Sequence, residues 1–158
     1  MKIFLSVQLY EDMINQPFEI SDYLACRVTL SVKQNGVKKE ICNSTFHDAL
    51  ILEIGKTLID LAKCKGTTSN PIETFENAME YTFKKSDNLL LIKEYSAYDK
   101  TTQTSFEGSF TEFFFAFFKE YNRYFKEILK QDPNAIQHDS VTIMGQQLEC
   151  YKNIKNQF

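Results

Sequence analysis

The sequence predicts an α+β fold: an antiparallel sheet with helices packed mainly on one face, in a two-layer sandwich. Three observations predict it. Ser109 to Lys130 carries nine aromatic residues at helical spacing. Asn35-Gly36 lies between two runs of apolar–polar alternation, and Lys85-Ser86-Asp87-Asn88 joins two further strand-like runs. A long one-sided helix beside two hairpins has a sheet to cover.

Met1 to Tyr10 sets Ile3, Leu5, Val7 and Leu9 against Phe4, Ser6, Gln8 and Tyr10, the pattern of a half-buried strand. Glu11 to Ser21, with Pro17 inside it, is a connection. From Leu24 the alternation resumes, with Cys26, Val28, Leu30 and Val32 on one face and Arg27, Thr29, Ser31 and Lys33 on the other. Asn35-Gly36 suits a type I′ turn, whose two central residues need positive φ, and Val37 to Cys42 is the return strand.

Ser44 is placed to cap a helix from Thr45 to Cys64, with Gly66 as its stop. Ile51, Leu52, Ile54, Leu58, Ile59, Leu61 and Ala62 cover roughly 200° of its circumference, leaving Glu53, Lys56, Thr57, Asp60 and Lys63 as a solvated strip. Gly55 in the apolar arc allows close approach of a strand or another helix. Such a helix fits between the sheet and the aromatic helix.

Lys65 to Pro71 reads as a polar loop, Ala78 to Lys84 and Leu89 to Tyr95 as a strand pair, and Ser96 to Gln103 as a second polar loop. Leu89 to Ile92 is apolar on both faces, which suits a central strand. Thr104 to Gly108 adds a short strand. In the helix that follows, Phe110, Phe113, Phe114, Phe117, Phe118, Tyr121, Tyr124, Phe125, Ile128 and Leu129 lie within roughly 160°, with Glu112, Lys119, Glu120, Arg123, Lys126, Glu127 and Lys130 opposite. Ser109 and Glu112 have capping-box spacing, and Pro133 ends the helix. Phe115 projects outside the stripe and is expected to pack under a neighbouring element. Val141, Met144, Leu148 and Tyr151 recur at the spacing of a terminal helix.

At 158 residues without a Pro-, Gly- or Ser-rich linker, residues 1–158 read as one domain. A 43% hydrophobic content is that of a globular protein, and a formal net charge of −3 argues against nucleic acid as a partner. Lys2 and a short apolar run are followed by Glu11 and Asp12 with no small-residue cleavage site, unlike a signal peptide. Phe113 to Phe118 is far shorter than the roughly 20 residues that span a bilayer. No membrane association and a cytoplasmic location are expected. Cys26, Cys42, Cys64 and Cys150 form no C-x-x-C pair, and a two-residue turn at Asn35-Gly36 sets Cys42 opposite Thr29, away from Cys26. Buried free thiols are expected.

Residues suited to catalysis are sparse. His47 falls in the first turn of an apolar helical face, where a hydrogen-bonded core or cap histidine is expected ahead of a general base. His138 reads as a solvated loop residue, and the two histidines lack metal-ligand spacing. Glu11 and Asp12 diverge on an extended chain, and Glu73 and Glu76 read as solvated. Phosphate-cradling and nucleophile-elbow motifs are absent from the sequence. No enzyme activity, cofactor or metal is expected. The loop Tyr95-Ser96-Ala97-Tyr98-Asp99 joins tyrosines to acid, as protein interfaces prefer. With Asp87, Glu94 and Glu107, and with Glu53 and Asp60 of the first helix, it forms the candidate partner-binding set.

Three segments carry a resemblance: the hairpin CRVTLSVKQNGVKKEI leading into FHDALILEIGKTLIDLA, the strand pair MEYTFKKSDNLLLIKEY, and the helix opening SFTEFF. Over about Cys26 to Leu129 the chain resembles small bacterial proteins of unassigned activity, and it looks like immunity proteins of polymorphic and contact-dependent growth inhibition toxin systems. The resemblance implies a toxin inhibitor that binds the C-terminal domain of a cognate toxin without catalysis. The residues leave open a second reading, a ligand-binding or enzymatic module with Tyr81, Tyr95, Tyr121 and His47 around a pocket between sheet and aromatic helix. A third is a homo-oligomeric structural protein joined through Phe115.

Overall fold

A computed structural model of the chain describes residues 1–73 and 79–158. Seven strands and four α-helices follow in the order β1 (Lys2–Gln8), α1 (Ile20–Leu24), β2 (Arg27–Gln34), β3 (Val37–Ser44), α2 (His47–Lys63), β4 (Thr68–Glu73), β5 (Met79–Ser86), β6 (Leu89–Ser96), β7 (Thr101–Ser109), α3 (Phe110–Gln131) and α4 (Asp139–Ile154). The fold is α+β, and every strand pairing is antiparallel.

The strands form two sheets, β1-β2-β3 and β4-β5-β6-β7, whose edge strands β3 and β7 face one another without joining in a ladder. A physical reason lies in two bulges. In β3 the register shifts so that Leu30 pairs with Cys42 while Ser31 pairs with Glu40, leaving Ile41 as the extra residue. In β7 Ile92 pairs with Phe106 while Lys93 pairs with Thr104, leaving Ser105 extra. A bulge twists its strand and interrupts the edge it would offer a neighbour, and here both facing edges carry one. The seam is crossed by side chains instead. Lys39 Nζ donates to Thr104 O at 3.1 Å, and the Asn43 N–H donates to Tyr81 Oη at 3.4 Å.

The bulge at Ile41 also corrects the sequence register, which sets Cys42 opposite Thr29; the turn at Asn35-Gly36 is as expected, with both residues at positive φ, but the extra residue moves Cys42 to Leu30. All four cysteines are free, Cys26 and Cys42 buried but Cys64 and Cys150 exposed. Two expected loops hold strand. Within Lys65–Pro71, β4 begins at Thr68, and within Ser96–Gln103, β7 begins at Thr101, because polar edge segments reach ladder bonds that apolar patterning does not reveal. The expected connection over Glu11–Ser21 contains a 3-10 turn at Glu11–Met13, and α1 delays the next strand from Leu24 to Arg27. Ala78, the expected start of β5, and Glu76 lie outside the described residues.

Helix α3 is the main cover. Phe110, Phe113, Phe114, Phe117, Phe118, Tyr121, Tyr124 and Ile128 are buried along one stripe. Phe113 meets Phe106 of β7 at a centroid distance of 4.8 Å and Phe83 of β5 at 6.4 Å, tying the helix to the second sheet. Burial of each such ring stabilises by about 1.5–3 kcal/mol. Phe115 packs beside the stripe against Tyr151 of α4 and Phe158. Core residues of both sheets and of all four helices form one cluster.

At the start of α3 the Ser109 hydroxyl accepts the Glu112 N–H at 3.2 Å, as the capping box requires. Asn88 supplies the remaining partners: its carbonyl accepts the Phe110 N–H at 2.7 Å and its Oδ1 the Thr111 N–H at 2.9 Å. After Gln131, Asp132 caps a 3-10 turn over Pro133–Gln137.

Helix α2 starts later than expected, with Phe46 as N-cap; Ser44 ends β3 and its hydroxyl accepts the Phe46 N–H at 2.9 Å. It lies between β4 and α4, with α4 on the side expected for the aromatic helix. Gly55 permits that approach: a Cβ there would overlap Gln147 Oε1 of α4. Thr57, expected in the solvated strip, is buried, and Glu53 and Asp60 are half-buried. The C-terminal carbonyls of α2 at Leu61 and Cys64 accept Lys85 Nζ at 2.9 and 3.0 Å, and this ammonium also sits 4.8 Å from the Phe110 ring centre.

Candidate functional site

His47 opens α2 in a buried position, and both of its ring nitrogens are engaged. Nδ1 lies 3.1 Å from Tyr23 O and Nε2 lies 2.5 Å from Tyr124 Oη. A carbonyl only accepts, so Nδ1 carries the proton and donates to Tyr23, and Tyr124 donates its hydroxyl hydrogen to Nε2. Burial holds the imidazole neutral, lowering its pKa to about 4 against the smaller opposing effects of the Tyr23 carbonyl and Asp48. Burial likewise raises Tyr124 well above the usual phenol value. Neither nitrogen has a lone pair or proton left for a substrate, and His47 is a core histidine joining α1, α2 and α3. His138 is not a solvated loop residue: it is the N-cap of α4, accepting the Ser140 N–H on Nδ1 at 3.3 Å.

The residues expected around a pocket between sheet and aromatic helix lie in separate networks. Tyr81 faces Asn43 across the seam, Tyr121 donates to Gln147 Oε1 at 2.7 Å, His47 is held by Tyr23 and Tyr124, and Tyr95 is half-buried on β6. Buried phenylalanines fill the space between them. Among the described residues no group of three His, Cys, Asp or Glu side chains is arranged to hold a metal ion.

The partner-binding candidates divide between two ends of the second sheet. Glu94 and Tyr95 close β6, and Tyr98 and Asp99 occupy the turn into β7. Tyr98 is 85% exposed. Asp99 is fixed beside it, its Oδ1 accepting the Thr101 N–H at 3.2 Å and the Thr101 hydroxyl at 2.8 Å. Hydrogen bonds from Thr101 and then Ser96 hold its carboxyl below the ordinary value, so the charge is kept at neutral pH. Glu94 Oε1 accepts from Gln103 Nε2 at 2.8 Å. These four residues form one tip.

Asp87 sits at the other end of β6, in the turn from β5 at φ 52°, so about 26 Å of strand separates it from the tip. Asp60, next to the Leu61 carbonyl that Lys85 caps, shares that far end. Glu53 lies two turns back along α2, and Glu107 is exposed on β7, lining the seam groove with Val37, Lys39 and Thr104.

Several residues that organise the site's surroundings carry no sequence signal. Asn88 is read as a turn residue yet caps α3, and Gln147 links three helices through Tyr121 and Leu52. Glu120, on the charged side of α3, is buried: it accepts the Leu5 N–H at 3.0 Å and pairs with Arg123. No helix among the described residues is long and apolar enough to cross a membrane. Comparison with known proteins finds no matching protein family, no matching curated protein and no matching solved structure.

Proposed function

We propose that the chain is a binding protein of the immunity type, which neutralises the C-terminal domain of a cognate bacterial toxin by covering it, without catalysis. The observation that carries this reading is the tip of the β6–β7 hairpin, where Tyr98 is 85% exposed beside the tethered carboxylate of Asp99. An exposed aromatic costs solubility unless a partner covers it, and tyrosine beside fixed charge is the composition of an interface hot spot. Glu94 and Tyr95 extend the tip, which suits a basic surface on the toxin. In this reading the contact is made by the tip, and Asp87 and Asp60, at the far end of β6, lie outside it.

The test is expression of the C-terminal domain of the large reading frame adjacent to this gene, with and without this chain, followed by growth. Relief of growth arrest is expected. It should weaken when Tyr98→Ala is combined with Asp99→Lys, through faster dissociation and a changed salt dependence. Toxicity that the intact chain fails to relieve rejects the reading.

A further inference from the structure

Three lysines stand directly opposite one another across the first sheet. Lys2 of β1 pairs with Lys33 of β2, and Lys33 pairs with Lys38 of β3. Paired residues project from the same face on strands about 4.8 Å apart, and this is the face away from the core, since the adjacent Ile3 and Val32 are buried. Like charges directly opposite one another destabilise a sheet, and Lys33, at the centre of the row, meets such a neighbour on each side.

The row continues past the sheet edge. Lys2 also lines a groove of about 600 Å³ with Lys119, Arg123 and Lys126, which recur at helical spacing on α3. The acid in the groove wall, Glu120, is already committed to Leu5 and Arg123. Glu40, one position along the face on β3, bonds to Asn43. Lys2, Lys33, Lys38, Lys119 and Lys126 form no ion pair among the described residues. A chain of formal net charge −3 thus gathers six of its eighteen lysines and arginines in one band.

We propose that this band binds an acidic segment of a partner polypeptide, laid across Lys38, Lys33 and Lys2 and into the groove beside Lys119 and Lys126. Two observations choose carboxylates on a polypeptide over a nucleic-acid strand. Phe4, on the same face, has the Lys2 and Lys38 ammoniums over its ring at 4.9 and 5.0 Å, so the ring is not free to stack on a base. Arg123 is the residue whose planar fork would grip a phosphate, and its Nε and Nη2 are both held by Glu120 at 2.8 and 2.7 Å. What remains is a set of flexible point charges, suited to a run of carboxylates. The inference stands independently of the toxin-binding reading, which uses the opposite charge at another part of the molecule.

Fluorescein-labelled deca-glutamate and deca-thymidylate, titrated with the full chain by fluorescence anisotropy, test it. Saturable binding of deca-glutamate is expected at about 50 mM salt, weakening roughly tenfold by about 200 mM. Lys2→Glu with Lys33→Glu and Lys38→Glu should weaken it roughly tenfold or more, and so, separately, should Lys119→Glu with Lys126→Glu, each variant being shown folded by circular dichroism. Absence of deca-glutamate binding at low salt, binding that both sets of reversals leave intact, or tighter binding of deca-thymidylate would each overturn the proposal.

Discussion

Glu120 of α3 accepts the main-chain N–H of Leu5 in β1 at 3.0 Å, and with this bond the helix closes an edge of the first sheet. An open edge is a template for pairing with another chain. Replacing Glu120 by Ala strands a buried donor, which should cost about 2 kcal/mol of stability, read from urea denaturation. Glu120→Gln keeps an acceptor and should cost less than half as much. Amide exchange at Leu5 should accelerate in the Ala variant alone, and equal loss in both variants would assign the effect to the Arg123 ion pair instead.

Gly55 and Gln147 give a prediction whose sign depends on the background. The Gln147 amide accepts from Tyr121 at 2.7 Å and donates to Leu52 O at 2.9 Å, occupying the space a Cβ at position 55 would enter. Gly55→Ala must dislodge that amide, losing two hydrogen bonds worth about 1 kcal/mol each against a helix-propensity gain of about 1 kcal/mol. A net loss near 1 kcal/mol follows. In a Gln147→Ala background the obstruction is gone, and the same Gly55→Ala change should stabilise by about 1 kcal/mol. A double-mutant cycle by thermal or urea denaturation measures the reversal.

The contrast between these helices and the sheets explains how much of the molecule its sequence discloses. The aromatic stripe of α3 is legible because burial on one side of a helix imposes a 3.6-residue period, and β6 is recognisable as central because both its faces are apolar. β4 and the first half of β7 are polar edge strands defined by main-chain ladder bonds that side-chain patterning does not record, so residues 68–71 and 101–103 read as loop. The bulges at Ile41 and Ser105 split the sheet for reasons of register that no local pattern records. Among the candidate site residues, Glu94, Tyr95, Tyr98 and Asp99 lie together because they are close in sequence. Asp87 falls at the far end because strand length, invisible in composition, separates the two turns.

His47 makes stability depend on pH. Its folded-state pKa is lowered to about 4 from an unfolded value of 6.5, so between those values the unfolded chain binds the proton and the folded one does not. The contribution is fully present above pH 6.5 and is lost as pH falls through about 4, amounting to about 3 kcal/mol. Urea midpoints measured from pH 8 to pH 4 should fall more steeply in the natural chain than in His47→Gln, which cannot take up the proton. Parallel profiles would mean that the imidazole takes up its proton as readily in the fold as in the unfolded chain.

The lysine row predicts that one substitution will raise stability and weaken binding together. Lys33 lies between Lys2 and Lys38, so Lys33→Glu turns two repulsive cross-strand neighbours into two attractive ones. A gain of about 0.5–1 kcal/mol should follow, shrinking in high salt because all three side chains are exposed and therefore screened. The same change should weaken deca-glutamate binding, by less than the triple reversal does, since it places a carboxylate at the centre of the band. If Lys33→Glu left stability and its salt dependence unchanged, the three ammoniums would already be splayed far enough apart not to feel one another. If it stabilised the chain without touching peptide binding, the row would be a tolerated strain with no role in recognition. Opposite movement of the two quantities is what separates a surface shaped by a partner from one left over by the fold.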